Sequence, residues 1–358
     1  MPDVVVFLGP SLAADVAQRL LPSAKLLPPV QLGDVCAAVY QGADVIIVID
    51  GFFEQVPTVW HKEILWALSR GIWVYGAASM GALRAAELAP FGMRGIGAIY
   101  ERYASGDYTD DDEVMIVHAP ADDGYRPLSV AMASLRDGLE RAVAAGIIDQ
   151  LAQVSLVAAA KQLHYADRSW FAVLAAAGEL DLPDAQIQAL RDFLRRARPD
   201  AKAEDAAAVL NAAARDLAGG FAPWKPDFEF EVTNSFEKLQ RIVRAELAED
   251  ALIRRYGRSS AHLRKEMSNA HLPLFYLLVE AEAKRLGLSP GPVGGVVDEV
   301  AQRYGAATGA ATQLVSLESL AAQLEKRHAK ELAIFTDAAL CGLTAPDGDW
   351  LRPVIVDD

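Results

Sequence analysis

Ile72-Trp73-Val74-Tyr75-Gly76-Ala77-Ala78-Ser79-Met80-Gly81-Ala82-Leu83-Arg84 passes from an apolar run, through a turn of small residues, into a helical pattern. The apolar run carries no polar alternation, which marks a strand buried on both faces. Two more such runs precede it, Val4-Val5-Val6-Phe7-Leu8 and, behind Asp44, Val45-Ile46-Ile47-Val48-Ile49. Helical stretches at 12–20, 31–41, 58–70 and 80–88 lie between and after them, with a weaker strand at 24–27. Strands alternating with helices predict βαβ units and a parallel sheet with right-handed crossovers. A helix at 97–105, an acidic loop and a further strand, Val114-Met115-Ile116-Val117, are expected to follow.

From Pro127 onward Ala-rich amphipathic stretches dominate, at 127–145, 149–166, 184–197, 203–217, 233–256, 260–287, 292–304 and 315–342. The fold class is therefore α/β: an N-terminal parallel-sheet core over 1–145, then a mostly helical domain over 146–358 with no cluster of chemical motifs. A length of 358 residues suits two domains.

The apolar share, 52%, and the charged share, 23%, are those of a globular chain, which excludes wholesale disorder. The net charge of −14 repels a phosphate backbone and sets nucleic acid aside as a partner. Acid is densest in the first 150 residues, with 10 basic and 19 acidic side chains. This favours solubility, or a docking face for a basic partner. Two cysteines, Cys36 and Cys341, make no disulfide framework and no zinc site by themselves. They suit a reducing compartment. With no basic n-region at Met1-Pro2-Asp3 and no apolar run of membrane-spanning length, a cytoplasmic location and no membrane partner are expected.

Three loops follow the three strong strands: Gly9-Pro10-Ser11, Asp50-Gly51-Phe52-Phe53 and Gly76-Ala77-Ala78-Ser79-Met80-Gly81. Ligands of open parallel sheets bind outside the carboxyl ends of the strands, so these loops are expected to converge. Ser79 is the sharpest candidate. With Gly81 two residues on, it resembles a G-x-S-x-G elbow in which Ala77 replaces the first glycine. The helix start beyond it offers free N–H groups to an oxyanion. The commoner use of such a serine is as an N-cap. Ser11 has the same two readings, cap or site donor.

His61 shares a stripe with Ile64, Leu65 and Leu68, which predicts an inward core histidine. Glu63 falls on the solvent side. Lys62 lies beside the stripe, one turn into a helix opening at Thr58. It is either a solvated surface lysine or, near the carboxyl edge, a base of lowered pKa for a serine. Arg84 and Glu87 stand at i, i+3 and either pair or hold a substrate carboxylate. Asp110-Asp111-Asp112-Glu113 form an acidic loop ahead of His118. Without ligand-loop spacing it is expected to be solvated rather than metal-binding. No Walker-type loop is present, and no cofactor is called for.

The stretch from Val6 to Arg136 resembles the TfuA-like core family. The carrying motifs are Asp50-Gly51-Phe52-Phe53, His61-Lys62-Glu63-Ile64-Leu65, Gly76 through Leu88, Asp112-Glu113-Val114, His118 and Arg126-Pro127-Leu128-Ser129. The resemblance implies a protein working beside a YcaO-type enzyme in peptide-backbone thioamidation of a precursor peptide. It implies hydrolysis of the C-terminal thiocarboxylate of a ThiS-like sulfur carrier, sulfide release, and help in YcaO substrate binding. It also implies a Ser-Lys pair. On this chain the matching residues are Ser79 and Lys62, with Ser11 as the competing serine and Gly9, Asp50, His61, Gly76, Met80, Gly81, Arg84 and Glu87 supporting. Two alternatives stay open: a non-catalytic adaptor docking on a YcaO enzyme and its peptide, and a small-ligand-binding regulatory domain. The peptide, the carrier and self-association are left open.

Overall fold

A computed structural model describes residues 2–54, 56–223 and 225–256, together with Val300, Leu320 and Leu324. The helices expected at 260–287, 292–304 and 315–342, and Cys341, lie outside the described residues, those three positions excepted. The chain divides into two compact units, Met1–Glu231 and Val232–Asp358.

The first unit holds a five-stranded parallel sheet built from β1 (Val4–Phe7), β2 (Ala24–Leu27), β3 (Val45–Val48), β4 (Trp73–Gly76) and β5 (Arg94–Gly95). The strand order is β2-β1-β3-β4-β5, the doubly wound order whose direction reverses between β1 and β3. Register is direct: Val6 sits beside Leu26 on one side and Ile47 on the other. β1 and β3 are buried at every position, so their unbroken apolar sequence is what two covered faces require.

The crossovers explain the two layers. Helices α2 (Asp34–Tyr40), α3 (His61–Ser69) and α4 (Met80–Leu88) pack on one face. There Val35, Ile64, Leu68 and Met80 meet Val5, Phe7, Ile46, Val48 and Val74. Only the first crossover, α1 (Ala14–Leu20), falls on the other face. It leaves apolar sheet area that a late helix covers. After α5 (Ala98–Ser105), α6 (Met132–Ala144), α7 (Gln150–Gln162), α8 (Trp170–Glu179) and α9 (Asp184–Ala197), the chain returns as α10 (Ala201–Ala218). α10 lays Ala206, Val209, Leu210 and Ala213 against Val4, Val6, Ile47 and Tyr75. The division expected at 145/146 therefore falls inside this first unit, at the loop between α6 and α7. Helices α6 to α9 also bury a core of their own around Leu135, Leu139, Leu156, Val173 and Leu190.

The second unit contributes one described helix, α11 (Asn234–Tyr256), with Phe236, Leu239 and Val243 buried at helical spacing. Among the described residues, no helix is long and apolar enough to cross a membrane.

One expected element is absent. Residues 114–117 form no strand; they follow a 3₁₀ turn at Asp111–Glu113. The strand-like apolarity of Val114 and Met115 reflects their burial instead, Val114 among Ala82, Ile99, Ala133 and Ala201. Their backbone is held by other means, Val117 N–H bonding the Ser129 hydroxyl and a single bridge joining His118 to Pro127.

Candidate functional site

Asp50, just past β3, organises the carboxyl edge. Its carboxylate is buried and accepts three hydrogen bonds from the loop after β1: Gly9 N–H at 2.9 Å, Ser11 N–H at 3.0 Å and the Ser11 hydroxyl at 2.6 Å. The clasp sits at the reversal between β1 and β3, where ligands of this sheet order bind. A side chain on Gly9 would meet Pro29 at 2.4 Å, so the loop needs glycine there. Ser11 is not a helix cap, since α1 begins at Ala14 behind Ala13. Its proton is engaged by Asp50.

Ser79 occupies the N-cap position of α4, as the sequence pattern predicts, yet its hydroxyl makes no capping bond. The turn that presents it is tight. Ser79 N–H reaches back to Ala77 O at 2.7 Å, and Ala78 adopts a left-handed conformation, φ 65°. For a residue with a Cβ this costs roughly 1–3 kcal/mol. The flanking glycines let the turn close. A Cβ on Gly81 would lie 1.8 Å from Val48 O, and one on Gly76 2.1 Å from Gly81 O. The start of α4 thus presses directly on the ends of β3 and β4. Gly81 N–H is taken by Ile49 O at 3.3 Å. Met80 is the first helical residue, so its N–H has no partner within the helix. It is the amide that directly follows Ser79, where an elbow places an oxyanion donor.

A buried lysine lines the same cavity as this serine: Lys202, a residue outside every sequence motif quoted above. It stands in the first turn of α10, buried, donating to Val114 O at 3.0 Å with Nζ 3.9 Å from Asp50 Oδ1. Burial pushes its pKa below the ordinary lysine value, against the opposing pull of Asp50 and Asp200. One sequence signal could have found it: a lysine two residues after an Asp cap, in a first turn where the helix dipole disfavours cations.

Asp50, Ser79 and Lys202 line one small cavity of about 40 Å³, with Phe52, His118 and Tyr165. A cleft of about 310 Å³ adjoins it and shares Pro10, Ile116 and Lys202. The His118 ring lies against Phe52 and Tyr125, at centroid distances of 6.1 and 5.6 Å.

Lys62 is not among the residues lining this cavity. Its Nζ stands 4.8 Å from the centre of the Phe230 ring. α3 opens at His61, not at Thr58, and its buried stripe runs through Glu63, Ile64, Ala67 and Leu68, which leaves Lys62 beside the stripe and His61 off it. His61, expected in the core, is exposed and bonds Glu87 at 2.7 Å. Arg84 Nη1 reaches the same Glu87 oxygen at 2.7 Å and Arg84 Nε donates to Val59 O at 3.4 Å, so Arg84 and Glu87 do pair. This trio, too, stands apart from the Ser79 cavity.

Glu63, expected in solvent, is fully buried. Its carboxylate accepts from Gly33 N–H, Cys36 N–H and Trp60 N–H and so ties the starts of α2 and α3 together. Burial outweighs those donors and pushes its pKa up to about 7. Cys36 is buried, and burial drives its thiol pKa up.

The acidic loop is solvated only in its first half: Asp110 and Asp111 are exposed, Asp112 is half-buried and Glu113 is buried. Asp110, Asp112 and Glu113 bring oxygens within 4.8 Å of one another. Lys161 contacts all three, Arg168 pairs with Asp112, and Arg136 holds Glu113 with two bonds of 2.9 Å. The carboxylates are neutralised by these cations and need no metal for charge balance. The cluster anchors the wall of the site, since Arg168 Nη1 also donates to Asp112 O at 2.8 Å.

A doubly wound sheet with a serine elbow at its carboxyl edge defines the class. Residues 50–169 match the family model described as TfuA-like protein. The chain thus carries a TfuA-like region spanning Asp50, Ser79, the acidic loop and His118. TfuA-like proteins are associated with YcaO-type enzymes and with thioamidation. No curated protein matches the chain in sequence.

Proposed function

We infer that this protein serves YcaO-dependent peptide-backbone thioamidation as a sulfur-releasing hydrolase. Its substrate is the C-terminal thiocarboxylate of a ThiS-like carrier, its nucleophile Ser79 and its base Lys202. The observation that carries the reading is the Ser79 hydroxyl. It sits on a strained turn, makes no cap bond and shares a small cavity with a buried lysine of lowered pKa. A serine whose only task is capping would spend its oxygen on the helix.

Neutral Lys202 takes the proton of the Ser79 hydroxyl as Oγ attacks the thiocarboxylate carbon. Met80 N–H steadies the oxyanion. The carbon–sulfur bond breaks, Lys202 passes its proton to the departing sulfur, and hydrosulfide leaves. Water then cleaves the Ser79 ester and frees the carrier carboxylate. Ser11 is the weaker nucleophile candidate because its hydroxyl is committed to Asp50.

The test is sulfide release from a thiocarboxylated carrier. Ser79→Ala and Lys202→Met abolish it, while Lys62→Ala leaves it near the parent rate. Full activity in a folded Ser79→Ala variant overturns the reading and favours a non-catalytic adaptor for the YcaO enzyme.

A further inference from the structure

His118 borders the same cavity as Ser79 and Lys202. The acylation chemistry above does not use it. Its Nδ1 lies 2.8 Å from Ala119 O. A carbonyl oxygen only accepts, so Nδ1 carries the proton. In the neutral ring, Nε2 is then an unprotonated acceptor, at the far end of the ring from that carbonyl. Phe52 and Tyr125 flank the ring and limit its rotation. A fixed tautomer with a free lone pair is what a general base requires. The cavity measures about 40 Å³. A water held in so small a space is close to every group on its walls.

We propose that His118 is a catalytic residue of the second half-reaction, the base that activates water against the Ser79 ester. The inference rests on the Ser79 reading and adds a division of labour to it. Nε2 takes a proton as the water oxygen attacks the acyl carbon. The acyl–Oγ bond then breaks, and the same nitrogen returns that proton to Ser79 Oγ. The carrier leaves as a carboxylic acid that ionises in water. Lys202 serves the first step, in which sulfur departs; His118 serves the second, in which oxygen enters.

The full-length protein with p-nitrophenyl acetate separates the two steps. Acylation releases nitrophenolate in a burst, and deacylation sets the steady rate that follows. His118→Ala keeps the burst and lowers the steady rate at least about 100-fold, the range expected for loss of a general base. Acetyl-Ser79 then accumulates and is read by mass spectrometry, and added imidazole restores turnover. His118→Asn, which retains a donor for Ala119 O, behaves like His118→Ala and guards against misfolding of either variant. A parent-like steady rate in a folded variant overturns the inference while leaving Ser79 as nucleophile. Loss of the burst in both variants also overturns it, because His118 then acts before the ester forms. A burst that survives Ser79→Ala removes the nucleophile assignment, and this inference with it.

Discussion

Replacing Asp50 by asparagine tests whether Lys202 is the acylating base. The Asp50 Oδ2 oxygen accepts Gly9 N–H and Ser11 N–H, while Oδ1 faces the Ser11 hydroxyl and the Lys202 ammonium. Asparagine placed with its oxygen toward the two amides keeps both bonds, and Ser11 turns its hydroxyl to accept from the new amide group. The fold is retained and the charge is lost. At 3.9 Å an ion pair is worth about 4 kcal/mol for an effective dielectric constant of about 20. At 1.36 kcal/mol per unit that is roughly 3 pKa units, an upper bound. Asp200 still favours the charged lysine, so the displacement is downward and smaller than that bound. The sign follows from the charge: removing the anion disfavours the ammonium, so the free amine persists to lower pH. The assay is the burst rate with p-nitrophenyl acetate as a function of pH, beside a urea denaturation curve. The acidic limb moves down by at least about one unit. A limb that stays in place, or moves up, with the fold intact refutes Lys202 as the base.

Gly81→Ala places a methyl 1.8 Å from Val48 O, with backbone on both sides. A loss of about 3 kcal/mol or more in urea denaturation is expected, and a loss below about 1 kcal/mol refutes the close contact. Glu63→Gln flattens the pH dependence of stability. The folded-state pKa of Glu63 is raised to about 7. Its stabilising contribution is therefore complete below the unfolded value and is lost as pH rises toward 7. The parent falls by up to about 1.4 kcal/mol per pH unit relative to the variant in that window; parallel curves contradict the assignment. Arg168→Met removes the buried guanidinium that pairs with half-buried Asp112, which keeps Lys161, and leaves Asp112 O without its donor; urea denaturation is expected to show a loss of roughly 1–3 kcal/mol, and an unchanged midpoint contradicts the pairing. Gly97 has φ +103° and faces the Asp205 carboxylate that caps α5 through Ala98 N–H and Ile99 N–H. Gly97→Ala is expected to lower the melting temperature by several degrees.

The central sheet was legible because its strands are buried on both faces and so read as continuous apolar runs. β3 lies within Asp44–Ile49 and β4 overlaps Ile72–Tyr75. α4 opens at Met80, where the small-residue turn ends. β5 left no trace, because Arg94 and Gly95 are a strand only by pairing with Tyr75 and Gly76. α8 was missed because Phe171 to Gly178 offers almost no polar residue against which to see a period. The phase of α3 was misread for an opposite reason. Its periodicity is clear, but the true start at His61 and the backbone partners of Glu63 are tertiary facts. Ser79 was visible as a local turn motif. Lys202 was not, since what matters about it is its distance from a residue 152 positions earlier.

The late return of α10 also sets an order of events during synthesis. Sheet strands and the Ser79 turn leave the ribosome well before residue 202, with one apolar face still bare. Only when Val209, Leu210 and Ala213 settle on that face does Lys202 arrive beside Asp50. Such distant pairings form slowly. The Lys202–Asp50 contact is therefore made only once that layer is sealed, so the cavity around Ser79 is completed by the last helix of its unit to be synthesised.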